Sequence, residues 1–134
     1  FFFASFLVKA QSENAILGIW YNTEKTAQVE ILKKGSEFIG KIVWLKDPNP
    51  GGKPAVDKDN PNPKLKSRPL MGLNLLEGLK FSSGMWEDGT IYDPKTGKTY
   101  SCQIQLKSSQ VLEVKGYIGF SLMGRTVEWT RVKR

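Results

Sequence analysis

The chain has 134 residues, with 20 Lys plus Arg against 13 Asp plus Glu, one Cys and no His. Without His there can be no Ser-His-Asp or Cys-His nucleophile system and no His-ligated zinc or haem, and a single Cys excludes an internal disulfide. A composition of 40% hydrophobic and 25% charged residues suits one globular domain rather than a disordered chain.

Residues 1–7 are almost wholly apolar, and Val8 and Ala10 stand three and one positions before Gln11. That pattern predicts the remnant of a secretory signal peptide over residues 1–10, followed by one domain over residues 11–134. Seven apolar residues are too few for a bilayer span, which needs about 20, and the only Cys, Cys102, is far from the cut, against a lipoprotein. The expected location is outside the bacterial cytoplasm, in the periplasm or the medium. Removing residues 1–10 takes one positive charge, Lys9, from a net +7. The basic balance suits solubility, or anionic partners such as phospholipid headgroups, lipopolysaccharide and acidic polymers. Nucleic acid is not expected, because the lysines are dispersed rather than gathered into one basic stripe.

From residue 17 onward the apolar residues recur with period two, the signature of half-buried antiparallel strands. The first predicted strand, near 17–22, opens with Gly18-Ile19-Trp20. The second, 26–34, alternates Ala27, Val29 and Ile31 with polar residues, and the third, 37–46, places Phe38, Gly40, Ile42 and Trp44 on one face. Short helical turns are allowed near 12–17 and 63–67. Between Asp47 and Arg68 the chain is rich in Pro, Asn, Asp, Gly and Lys and has no periodic pattern. A connection of that length is commonly functional or disordered, and its prolines favour a defined path, so a flap against a barrel mouth is expected.

Further strands follow near 70–81, 85–92, 98–107, 110–119 and 124–132. Turn chemistry separates them at Ser82-Ser83-Gly84, Asp93-Pro94-Lys95-Thr96-Gly97 and Lys107-Ser108-Ser109. About eight strands with short connections predict an all-β fold: an antiparallel up-and-down barrel, closed so that no strand edge stays unpaired. Such a barrel is just wide enough to be filled by side chains or to hold one small ligand.

Gly18 lets the backbone approach closely while the Trp20 indole plugs the barrel end. Closure brings Arg131 of the last strand over that ring, a cation–π contact worth about 0.5–2 kcal/mol. This Trp and Arg arrangement resembles that of the lipocalin and fatty-acid-binding superfamily. The chain also resembles exported bacterial proteins grouped as domain of unknown function 2147. The resemblance runs through Gly18-Ile19-Trp20, Phe38 to Leu45, Asp57-Lys58-Asp59-Asn60-Pro61 and Arg68-Pro69-Leu70-Met71-Gly72. It continues through Gly89 to Pro94, Gly97 to Tyr100, Gly116-Tyr117 and Gly124 to Arg131. It implies a small exported lipocalin-like barrel and leaves the activity open.

Asp57-Lys58-Asp59-Asn60-Pro61-Asn62 begins like a calcium loop but has Pro at the fifth position and Asn at the sixth, where Gly is needed. Gly97-Lys98-Thr99 lacks the leading Gly of a P-loop and enters a strand. Asp93 suits a turn carboxylate, and Cys102 a small buried hydrophobe. Two carboxylates alone can serve a glycosidase, but Asp57, Asp59, Glu87, Asp88 and Asp93 nearly all sit in turns. No cofactor or metal is implied.

Candidate ligand-binding residues are Arg68, Tyr92, Tyr100, Tyr117, Arg125 and Trp129. Structural roles fall to Gly18, Trp20, Arg131, Asp57 and Asp93. A buried Arg needs a carboxylate or several acceptors: either Asp57 or Asp93 pairs with Arg68 or Arg125 and pins the loop, or one Arg stays free for the acidic head of an amphipathic ligand. The expected function is non-catalytic binding of a small apolar or amphipathic molecule. The alternatives are a protein-interaction or inhibitor module using the 47–68 loop, favoured by a filled barrel with exposed Trp86 and Leu70-Met71, and a carboxylate-based hydrolase.

Overall fold

The computed structural model describes residues 12–118 and 124–133; the apolar stretch over residues 1–10 lies outside them. Eight strands pair in chain order and close on themselves: β1 (Gly18–Tyr21), β2 (Ala27–Lys34), β3 (Glu37–Leu45), β4 (Asn74–Ser82), β5 (Met85–Asp93), β6 (Lys98–Ser108), β7 (Val111–Tyr117) and β8 (Arg125–Arg131). Every pairing is antiparallel, and Trp20 opposite Arg131 with Tyr21 opposite Thr130 joins β1 to β8. The expected barrel is the fold observed, and the connection from β3 to β4 is the one long interruption.

Inward side chains follow the period of two along most of each strand, with bulges in β3, β4 and β5. Val29, Ile31, Phe38, Leu76, Leu79, Trp86, Cys102, Ile104 and Leu112 are wholly buried. Phe38 meets the Trp86 ring edge-on at 6.5 Å and Phe81 lies 4.9 Å from it. Each large apolar side chain buried this way contributes about 1.5–3 kcal/mol.

The starts of β1, β3, β5 and β7 share one end of the barrel, and a 3-10 turn, Glu13–Ile16, plugs it. Ser12 caps this turn by accepting from the Asn14 amide. Its carbonyls are the acceptors that the closed end requires: the Trp20 indole donates to Ile16 O at 2.9 Å and the Trp86 indole to Glu13 O at 3.1 Å. Arg131 donates to Ala15 O and Leu17 O and lies 4.2 Å above the Trp20 ring. Gly18, with φ +129, is needed here because a Cβ would stand 2.8 Å from the Arg131 guanidinium.

Alternation breaks in β3, β4 and β5: β4 turns both Leu76 and Leu79 inward, opposite Gly40 and Phe38, β5 turns both Trp86 and Gly89 inward, opposite Ile104 and Cys102, and β3 carries the break that matters for facing. Gln28 pairs with Trp44 but Val29 with Ile42, so Val43 is an extra residue in β3. This bulge moves Trp44 off the face of Phe38, Gly40 and Ile42. Trp44 instead meets the outward Tyr21 ring edge-on at 6.1 Å. Of the residues considered above as exposed contacts, Trp86 is fully buried, Leu70 half-buried and Met71 exposed.

Candidate functional site

The opposite end of the barrel is formed by the ends of β1, β3, β5 and β7 and the starts of their partners. Ile91, Tyr100 and Gly116, on the neighbouring strands β5, β6 and β7, crowd together on one inner wall there: a Cβ on Gly116 would lie 3.5 Å from Tyr100 Cβ and 3.6 Å from Ile91 Cγ2. Arg125, opposite Gly116, and Val127, opposite Val114, continue the same face up β8 from the buried Trp129. Trp20, Trp86, Ile104 and Leu112 are inaccessible and Phe81 and Leu106 at the plugged end are half-buried, while toward the opposite end Ile91, Tyr100 and Val127 are half-buried and Arg125 is exposed. Among the described residues this end therefore carries a half-buried apolar inner face above Trp129, Cys102 and Ile42, with the Arg125 guanidinium at its edge. The Cys102 thiol is pushed up to about 12 by burial, so it stays protonated and serves as packing rather than as a nucleophile.

Of the six candidate ligand residues, Tyr100, Arg125 and Trp129 share this inward face. Tyr117 does not: it follows the inward Gly116 and pairs with Ser101, which puts its ring on the outer wall. Tyr92 likewise follows the inward Ile91 and points outward, where it meets the long loop. Two inward residues of this face, Ile91 and Val127, were not singled out from the sequence, although their alternation with Tyr92 and Glu128 carried the signal.

Arg68 and Tyr92 belong to a separate cluster built around Asp57. Asp57 Oδ2 accepts from Arg68 Nε at 2.9 Å and from Asn60 Nδ2 at 2.8 Å, and Oδ1 accepts from the Tyr92 hydroxyl at 2.7 Å. The Asp57 side chain is fully buried, that of Arg68 is 35% exposed, and the guanidinium also lies 5.5 Å from the Tyr92 ring centre. Burial pushes the Asp57 carboxyl up, but the hydrogen bonds from Tyr92, Asn60 and Arg68 and the Arg68 charge outweigh it and hold the group below its ordinary value. Burial and the bond to Asp57 raise Tyr92.

Around this cluster the backbone of the loop is tied down. Asp57 N donates to Arg68 O, Leu70 N to Ala55 O and Gly72 N to Ile42 O. A short bridge joins Val56 to Pro69. The β5–β6 turn holds the loop from the other side: Asp93 accepts from the Lys95 amide and the Thr96 hydroxyl, and Gly97 N donates to Asp93 O. Gly97, at φ +72, packs directly on the Asp59 carbonyl, leaving no room for a Cβ. The long loop is thus an ordered flap clasped to the outer side of the rim. Asn60, buried and donating to Asp57, is the one member of the clasp that had no assigned role. Buried and accepting from Arg68, Asn60 and Tyr92, Asp57 is committed to the clasp. Among the described residues no group of three or more acidic or Cys side chains is placed to hold a metal ion.

Closed antiparallel topology, with one end sealed by a 3-10 turn beneath a Trp–Arg stack, defines a lipocalin-like β-barrel. A family model described as an uncharacterized protein conserved in bacteria (DUF2147) matches residues 18–131, and the chain belongs to that family. Among solved structures it is similar to protein HP1028 from the human pathogen Helicobacter pylori, described as belonging to the lipocalin family. The similarity is 29% in sequence with a TM-score of 0.76, over 88% of this chain and 83% of that one. No curated protein matches the sequence at a significant level.

Proposed function

We propose that this protein is an exported, non-catalytic carrier or scavenger that holds a small amphipathic molecule in a shallow cup on the half-buried inner face, at the end of the barrel opposite the plug, its open end. The observation that carries this is the half-burial of inward Ile91, Tyr100 and Val127, on β5, β6 and β8, next to the inaccessible Cys102 and the buried Trp129. Apolar, half-exposed side chains that face inward have lost their neighbours on one side and gain most from an apolar guest. Arg125, exposed at the rim on the same face, supplies a cation where the polar head of such a guest would sit, favouring an acidic head. The lipocalin-like architecture and the likeness to HP1028 support a binding role in general. The predicted signal remnant supports a place outside the cytoplasm. The Asp57–Arg68–Tyr92 clasp holds one wall of the cup and does not contact the guest.

Titration of detergent-free protein with 11-(dansylamino)undecanoic acid tests this. Dansyl emission is expected to rise saturably at near one-to-one stoichiometry. Val127→Lys is expected to abolish the rise and Arg125→Glu to weaken binding about tenfold, the equivalent of one charge-assisted contact, while Arg68→Ala leaves it within about twofold. No saturable enhancement with the native protein, or equal binding by Val127→Lys, would refute the cup as the site.

A further inference from the structure

Among the described residues, the large apolar side chains exposed to solvent are Trp44 at 37%, Val56 at 37%, Met71 at 44% and Ile118 at 69%. Scattered singly, such residues would need no explanation. These four are not scattered. Trp44 is the penultimate residue of β3, Val56 and Met71 lie on the β3–β4 flap, and Ile118 follows the last residue of β7. The topology puts all four at the open end of the barrel, and none lies at the plugged end.

Charge is segregated in the same way. The described connections at the open end carry seven exposed lysines, from Lys25 and Lys46 through the flap to Lys95. Against them stand three exposed carboxylates, Glu24, Asp47 and Asp59; Asp57 is buried and neutralised by Arg68. Connections at the plugged end, over their described residues, carry Glu13 and Lys133, and of the exposed lysines on the strand ends beside them Lys33 and Lys107 are paired with Glu13 and Glu128, leaving Lys34. Lys25 lies 5.6 Å from the Tyr21 ring centre, and that ring meets Trp44, so cation and indole share one edge of the rim.

We infer that the open end docks on an anionic phospholipid surface. A ring of lysines is drawn to negatively charged headgroups, and aromatic and aliphatic tips projecting beyond the lysine stems enter the interfacial layer. Trp in particular favours the boundary between headgroup and acyl chain. The clasp serves this arrangement by ordering the flap that carries the exposed Val56 and Met71. Docking in this orientation turns the mouth of the cup toward the bilayer, where an amphipathic guest passes between membrane and barrel without crossing water. The transfer role rests on the proposed binding function, but docking itself is read on protein without ligand, so the two stand or fall separately.

The test is flotation of the protein with vesicles of phosphatidylcholine alone and of phosphatidylcholine mixed with phosphatidylglycerol. Binding is expected to be on the order of tenfold or more stronger on the mixed vesicles and to fall steeply with added salt. Met71→Asp and the double variant Lys53→Glu with Lys64→Glu change only exposed side chains. Each is expected to keep the native melting temperature and to lose about tenfold or more in vesicle affinity. Trp emission should shift to the blue on docking. Equal binding to both vesicles, no binding to either, or native affinity in both variants would overturn the inference. Concentration-dependent dimerisation removed by Met71→Asp, without vesicle binding, would assign the patch to a second copy of this chain and overturn it equally.

Discussion

Asp57→Asn is the sharpest perturbation of the flap, because one buried carboxylate gathers three donors. The variant keeps an oxygen for the Tyr92 hydroxyl. It loses the charge that strengthens all three bonds, and its amide nitrogen turns a donor toward Arg68 or Asn60. Hydrogen bonds to charged groups are worth about 1.5–3 kcal/mol each against about 1 for neutral ones. Three weakened bonds would therefore cost about 3–5 kcal/mol if nothing relaxed. Arg68 has a side chain 35% exposed, so water recovers part of its loss, and a cost of about 2–4 kcal/mol remains. That cost falls on the flap first. The flap is tied to the barrel by few backbone bonds, so it opens locally before the barrel unfolds.

The assay is native-state hydrogen exchange. The amides of Asp57 and Leu70, bonded to Arg68 O and Ala55 O, should lose about 30-fold to 1000-fold in protection. Ile104, in β6 at the core, should change little. Unchanged protection at Leu70, or equal losses at Leu70 and Ile104, would refute the idea that the carboxylate is the latch of a separately opening flap.

Trp20→Ala removes a fully buried indole together with the ring beneath Arg131, and should cost about 3–5 kcal/mol in urea unfolding; a change below about 1 kcal/mol would displace it from the core. Gly97→Ala forces a side chain onto the Asp59 carbonyl at a positive φ, and should lower stability by about 1–3 kcal/mol with exchange losses concentrated between residues 57 and 60. Acid should loosen the clasp. The Asp57 value is lowered from 3.8 by folding, so its contribution is complete above about pH 4–5 and is lost as pH falls through the lowered value; Asp57→Asn should flatten that part of the stability–pH profile. Cys102, buried and with its thiol raised to about 12, should resist alkylation until the barrel unfolds, so that labelling reports the rate of opening.

Strand number, order and antiparallel pairing were legible in the residues because they rest on local signals. Period-two alternation and turn residues such as Asp93-Pro94-Lys95-Thr96-Gly97 act within a few positions, and eight such strands with short links have few ways to bury their apolar faces other than closure. The Trp20–Arg131 stack was legible for the same reason, since closure alone brings the first and last strands together. What the loop does was not. Asp57 and Arg68 are near enough in sequence for pairing to be expected, yet Asp93 and Arg125 offered an equally good exchange of partners. Only the path of the flap, clasped by Tyr92 from β5 and crowded by Gly97, selects Asp57 with Arg68.

Facing was similarly undecided wherever the register slips by one. The extra residue at Val43 sends Trp44 outward, a displacement that no pattern within β3 announces, because a bulge is defined by the partner strand. Sequence therefore determined the barrel, its plugged end and the chemistry it lacks. The tertiary structure decided which polar residues spend their hydrogen bonds on each other, which are left on the half-buried inner face, and that the exposed apolar and basic side chains gather at one end. Those outcomes depend on contacts between residues tens of positions apart, and their energies exist only once the strands have closed.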